Sequence, residues 1–145
     1  MPLANTVTNL ATKPLPNIIS PKTHAIIDFV TIGSFFLMAA TFWRRSKRAA
    51  ISALICGGAE LAVSLLTDYP GGVAPTIDFA THGKIDSGLA AMTATMPEFL
   101  AFPDEGERFF FLMQGSVITA VTGLTDFDEG QARTPRRSRK LERAA

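Results

Sequence analysis

Shifted by 58 positions, the sequence lies on itself without a gap, and the matches fall at polar positions where chance agreement is least expected. Thr23-His24 meets Thr81-His82, Ile27-Asp28 meets Ile85-Asp86, and Gly57 meets Gly115. Ala62-Val63 meets Ala120-Val121, and Leu66-Thr67-Asp68 meets Leu124-Thr125-Asp126, with Tyr69 against Phe127. The two histidines of the chain therefore occupy equivalent places. Such a chain is expected to be a tandem duplication, folded as two copies of one unit. With 145 residues it is expected to form a single compact architecture.

What each unit contains follows from where charge is missing. Phe29 to Trp43 carries none, and neither does Phe109 to Thr125. Four segments approach the roughly 20 apolar residues that span a bilayer: 25–43, 49–67, 85–102 and 109–124. The third is interrupted by Pro97 and Glu98 and begins with Lys84 and Asp86. Soluble bundles alternate apolar and charged faces along each helix, whereas here charge collects at segment ends. The expected fold is all-α, a four-helix transmembrane bundle of two tandem two-helix repeats with pseudo-two-fold symmetry. The repeats are residues 20–70 and 78–128, flanked by an N-terminal arm, 1–19, and a basic C-terminal tail, 129–145.

Ser20 and Asp78 fall on each other under the shift, and both suit a helix N-cap, where a side-chain oxygen accepts from first-turn amides. Pro21 suits the first helical position. Helices one and three are thus expected to begin at Pro21 and Phe79, with each histidine one turn in and Asp28 and Asp86 one turn deeper. Helices two and four return and end at Thr67-Asp68 and Thr125-Asp126. Two hairpins of this kind gather these polar residues on one side of the membrane, together with both termini.

His24 and Asp28 stand four apart, as do His82 and Asp86, so each pair shares a helix face. Helix two carries a stripe of Asp68, Ser64, Glu60 and Gly57, and helix four repeats it as Asp126, Thr122, Thr119 and Gly115. In a bilayer such stripes turn toward the bundle interior. Glu60 has Ile118 as its counterpart and is expected either protonated or hydrogen-bonded to a histidine. The candidate ligands are His24, Asp28, Asp68, His82, Asp86 and Asp126, with Glu60 beside them. Two imidazoles and several carboxylates suit a divalent metal ion or a proton relay, and two equivalent histidines also suit axial ligation of a haem. The alternative is a structural lock joining the hairpins, with no ligand.

Cys56 stands alone, so no intrachain disulfide forms, and it is expected to pack as a small apolar residue. Gly58 and Ala62 form a small-xxx-small pair suited to close helix packing. Phe109 to Phe111 and Tyr69 are expected to face lipid or the interface. Trp43 with Arg44, Arg45, Lys47 and Arg48 resembles an interfacial anchor. The basic tail, from Arg133 to Arg143, is expected to touch anionic lipid. No aromatic residues interleave with its charges, which argues against nucleic acid. The first hydrophobic segment is expected to serve as an uncleaved insertion signal. Summed positive charge favours termini in the cytoplasm.

The order His-x-x-x-Asp, an apolar helix, Met96-Pro97-Glu98-Phe99 and a later helix ending in Thr-Asp resembles the SPW-repeat type of bacterial membrane protein. The likeness covers about 20–128. Of the Ser-Pro-Trp tripeptide only Pro97 is present in the second unit, and Ala39 stands at that place in the first. The resemblance implies a multi-pass bacterial inner-membrane protein and no particular chemistry. Three functions fit: a binding or relay protein with an interior His/Asp site, a membrane enzyme acting on a lipid or quinone, or an accessory subunit without ligand, in a homo-oligomer or a larger complex.

Overall fold

In the computed structural model, residues 16–128 are described. The expected arm falls largely outside them and the basic tail wholly so. The described chain is all-helical: α1 spans Pro21–Phe42, α2 Lys47–Leu66, α3 Phe79–Phe99 and α4 Glu105–Leu124. The expected starts at Pro21 and Phe79 are observed. Ser20 Oγ accepts from the Thr23 amide at 3.3 Å, and Pro21 occupies the first turn. Asp78 accepts from the Thr81 amide at 2.9 Å and from its hydroxyl at 2.7 Å. The hydroxyl bond is the largest of the causes that hold the Asp78 carboxyl below the usual carboxylate range.

Two boundaries differ from the sequence reading. The third segment, expected to run to 102, stops as helix at Phe99, with Pro97 inside its last turn. A proline there forfeits one backbone bond at a place where the helix is already stopping. Ala101 then turns the chain with φ 48°. Helix α4 begins before its apolar run, at Glu105, and carries Glu105 and Glu107 in the turn where the helix dipole favours acids.

Helix α1 packs along α2 and α3 along α4, α2 lies against α3, and a looser seam separates α1 from α4. Gly57 and Gly115 set the two intimate crossings. A Cβ on Gly57 would stand 2.8 Å from Phe35 Cβ, and one on Gly115 would stand 2.8 Å from Ala94 Cβ and 2.9 Å from the Ala90 carbonyl. Gly58 has nothing within 4 Å of such an atom, so the expected Gly58/Ala62 pair does not make the close approach. It lies one residue, about 100° of helix, away from the face that does.

The two ends of the chain's helical part meet. The Ile19 amide donates to the Leu124 carbonyl at 3.0 Å and the Asp126 amide to the Ile19 carbonyl at 2.9 Å. Under the 58-residue shift the same bonds recur between Ile77 and Leu66, 2.9 Å, and between Asp68 and Ile77, 2.8 Å. Each short bridge pins the start of one hairpin to the end of a hairpin, so the first turns of α1 and α3 are brought beside the last turns of α4 and α2.

An apolar cluster of Phe35, Phe42, Phe111 and small residues from α2 fills one half of the interior. The other half is polar: His24, Asp28, Glu60, Ser64, Thr67, His82, Asp86 and Thr125 are all buried. Outside, Ile26, Val30, Leu37, Ile51, Ile55, Phe109 and Leu112 are exposed. Helices α1 and α2 are each long and apolar enough to cross a membrane.

Candidate metal centre

The first turns of α1 and α3 supply one histidine each, and the next turns supply Asp28 and Asp86. Because α1 and α3 face each other diagonally across the bundle interior, the four side chains converge at this end. His24 and His82 face each other with their Nε2 atoms 3.2 Å apart. His24 Nε2 lies 3.3 Å from Asp28 Oδ1 and 3.1 Å from Asp86 Oδ2. His82 Nε2 lies 3.3 Å from Asp28 Oδ2 and 3.0 Å from Asp86 Oδ2. One ligand atom from each of the four residues lies within 4.8 Å of every other, and all four residues are buried.

The opposite ring nitrogens determine what the Nε2 atoms can be. His82 Nδ1 is 2.8 Å from Thr67 Oγ1, and that hydroxyl donates its one proton to the Val63 carbonyl at 2.7 Å. Thr67 must then accept from His82 Nδ1–H. At the other end His24 Nδ1 is 2.7 Å from Thr125 Oγ1, whose proton goes to the Val121 carbonyl at 2.6 Å. Nδ1 is thereby the protonated nitrogen of each ring, so a neutral imidazole at either place presents its Nε2 lone pair to the centre. Two lone pairs and two carboxylates therefore point into one small volume.

Such an arrangement repels itself unless positive charge lies within it. Two carboxylates are balanced by one divalent ion or by two protons on the imidazoles. Two protons would set N–H groups against each other across 3.2 Å. An ion held at about 2.0 to 2.1 Å by tetrahedral N and O ligands would place those ligands roughly 3.3 to 3.4 Å apart, close to the His–His and His–Asp spacings found here. With neutral imidazoles the loaded centre carries no net charge, which a buried site requires.

Around this set lies a support layer. Tyr69 Oη donates to Asp28 Oδ2 at 2.8 Å. Burial, reinforced by the Asp28 charge, holds the Tyr69 phenol well above its usual value, so it remains a donor. Phe79 meets the His24 ring edge-on at a centroid distance of 5.3 Å, and Phe127 meets it at 5.7 Å. Tyr69 packs on His82 at 5.1 Å. These rings close the end of the bundle over the imidazoles. A side chain on Gly83 would collide with the Phe127 ring, so the glycine is what lets that ring lie down.

No family model, curated protein or solved structure matches this chain.

Of the candidate residues, His24, Asp28, His82 and Asp86 come together. Asp68 and Asp126 do not join the ligand set. Their backbone amides serve the hairpin bridges, and Asp68 is exposed, because the chain leaves the helix at the preceding threonine. Glu60 is buried nearby and lines a small cavity with Asp28 and Asp86, but among the described residues no hydrogen bond links it to a histidine. Two turns up α2 it lies beside the acids, out of reach of the Nε2 face. On α4 the inward stripe is Gly115, Ile118, partly buried Thr122 and Thr125; Thr119 is exposed. The 3.2 Å gap between the histidines, flanked by carboxylates, has no slot for a haem macrocycle.

Three contributors escaped the sequence reading. Thr67 and Thr125 were visible only as partners of the aspartates that follow them, although each lies four residues after a helical carbonyl able to take its proton. Tyr69, expected at the lipid surface, turns inward because the 69–72 turn folds back toward α1; a Cβ on Gly71 would stand 2.8 Å from Phe29 Cε2. A further buried acid, Glu107, lies in the first turn of α4, near the other end of that helix from Thr125, and belongs to no part of this centre.

Proposed function

We propose that the protein is an integral membrane protein that holds one divalent first-row metal ion, zinc being the best fit, between His24, Asp28, His82 and Asp86. The observation that carries this reading is the convergence of two Nε2 lone pairs and two carboxylates within 4.8 Å of one another. Imidazole and carboxylate together suit zinc and its neighbours, and a neutral set of two imidazoles and two carboxylates suits zinc above the others. The threonines on Nδ1 and the tyrosine on Asp28 act as the outer partners that orient ligands and fix tautomers in metal sites.

The membrane part of the reading is supported by the inverted distribution of side chains. Polar groups fill one half of the interior, and large apolar residues cover the outside of α1, α2 and α4. That is the pattern expected when lipid is the solvent. Trp43, half exposed with the Lys47 ammonium 3.8 Å from its ring centroid, suits an interfacial anchor at the α1–α2 turn. In this reading all four helices span, the two hairpins descend from one duplicated unit, and the family is the SPW-repeat type in a bacterial inner membrane. The termini lie on the cytoplasmic side. The recurrence of the bridging bonds and of the His–Thr contacts under the 58-residue shift supports the duplication.

The test is metal analysis of protein extracted from membranes in detergent. One equivalent of divalent ion per chain is expected, with loss of nearly all of it in His24→Ala and His82→Ala variants that remain folded. A wild-type protein that takes up no ion when offered zinc overturns the proposal.

A further inference from the structure

The two halves of the centre are not alike. Asp28 receives the hydroxyl of Tyr69, but the residue equivalent to Tyr69 under the repeat is Phe127, which has no hydroxyl to offer Asp86. Asp86 Oδ1 is accordingly buried without a hydrogen-bond partner among the described residues, and so is Thr122 Oγ1. Asp86 and Thr122 line the same cavity, of about 10 Å³, together with Asp28 and Glu60 and, on its apolar side, Ile118 and Val121. The cavity lies at the loose seam between α1 and α4, next to two of the four ligands.

A single water needs about 10 to 15 Å³ and two to four polar partners, so this cavity is at the lower bound in size and fully supplied in polar groups. Resting on the metal-binding reading above, we infer that the centre is open on this side: the ion takes a fifth ligand, a water, seated in the cavity and donating to Asp86 Oδ1 and Glu60. A closed four-ligand set marks a structural ion, whereas a water-bearing position marks one that can bind and exchange small oxygen or anionic ligands. Glu60 is the one acid of the cavity outside the ligand set, and it stands where a proton from that water would be accepted. Ile118, its counterpart in the second repeat, lines the same cavity. Two of the differences between the halves bear on this cavity: Glu60 and Ile118 both line it, and Phe127 in place of Tyr69 offers no hydroxyl to the Asp86 in its wall.

Cobalt(II) replaces zinc as the probe, because its visible spectrum separates four-coordinate from five-coordinate sites. Protein loaded with cobalt is expected to show the weak bands of a five-coordinate ion and to shift them on addition of azide. Ile118→Phe fills the cavity and is expected to bind cobalt at equal stoichiometry, with an intense tetrahedral spectrum and no azide response. Glu60→Gln keeps the volume and removes the charge, so azide binding is expected to tighten by roughly tenfold. It serves as the deciding variant should Ile118→Phe fail to fold. An intense wild-type spectrum that azide leaves unchanged overturns the open position while leaving metal binding intact. Failure to bind cobalt or zinc at all overturns both.

Discussion

Thr125 Oγ1 lies 2.7 Å from His24 Nδ1, so the last turn of the last helix orients the imidazole in the first turn of the first. Thr67 does the same for His82. Each histidine is therefore positioned by the far end of a hairpin that is not its own, and neither hairpin alone can set up the centre.

Replacing either threonine by valine keeps the shape and removes the acceptor for Nδ1–H. Loss of such an outer partner typically costs about 10 to 100-fold in metal affinity. Thr67→Val and Thr125→Val are each expected to fall in that range by competition with a chromophoric chelator, and the serine variants to stay near the wild type. Equal affinities for the valine and serine variants would remove the threonines from the account.

Tyr69→Phe makes the first unit resemble the second at this place. It deletes a hydrogen bond to a charged group, worth about 1.5 to 3 kcal/mol. Ion affinity should drop by about tenfold or more with the stoichiometry unchanged. Asp68→Asn, by contrast, is expected to leave affinity unaltered, since that carboxylate lies outside the ligand set.

Ligation requires both Nε2 atoms free of protons, so acid must compete with the ion. Affinity is expected to fall as pH drops, by about tenfold or more per unit once the imidazoles protonate. A chelator titration repeated from pH 8 to pH 5 measures the slope. A flat profile would mean that histidine nitrogen is not a ligand.

The crossings at Gly57 and Gly115 give a prediction about packing alone. Gly57→Ala and Gly115→Ala should destabilise the protein by about 1 to 3 kcal/mol each through overpacking. Gly115 should be the costlier, because its new methyl meets a backbone carbonyl that cannot rotate away. Gly58→Ala and Gly88→Ala, which meet nothing within 4 Å, serve as controls expected to unfold as the wild type does. Thermal unfolding in detergent reads all four.

Much of this was legible in the chain because caps and spacing are local properties. Ser20, Asp78 and Pro21 announce helix starts by chemistry that needs no tertiary information, and a four-residue His-to-Asp spacing fixes a shared face. Depth and facing were harder. The sequence puts Asp68 and Asp126 beside the threonines, and only the chain's exit direction at the helix end decides which of the two turns inward. Thr119 and Ile118 are adjacent in the same way, and the stripe on α4 runs through the apolar one. Tyr69, expected at lipid or the interface, turns inward for a reason its surroundings in sequence do not carry, since that turn depends on a loop packing against α1.

The central claim is most directly tested by X-ray absorption at the zinc edge of zinc-loaded protein. A first shell of nitrogen and oxygen at about 2.0 Å, with outer-shell scattering from two imidazoles and no sulfur, is the expected result. A shell of oxygen alone, or one containing sulfur from Cys56, would contradict it.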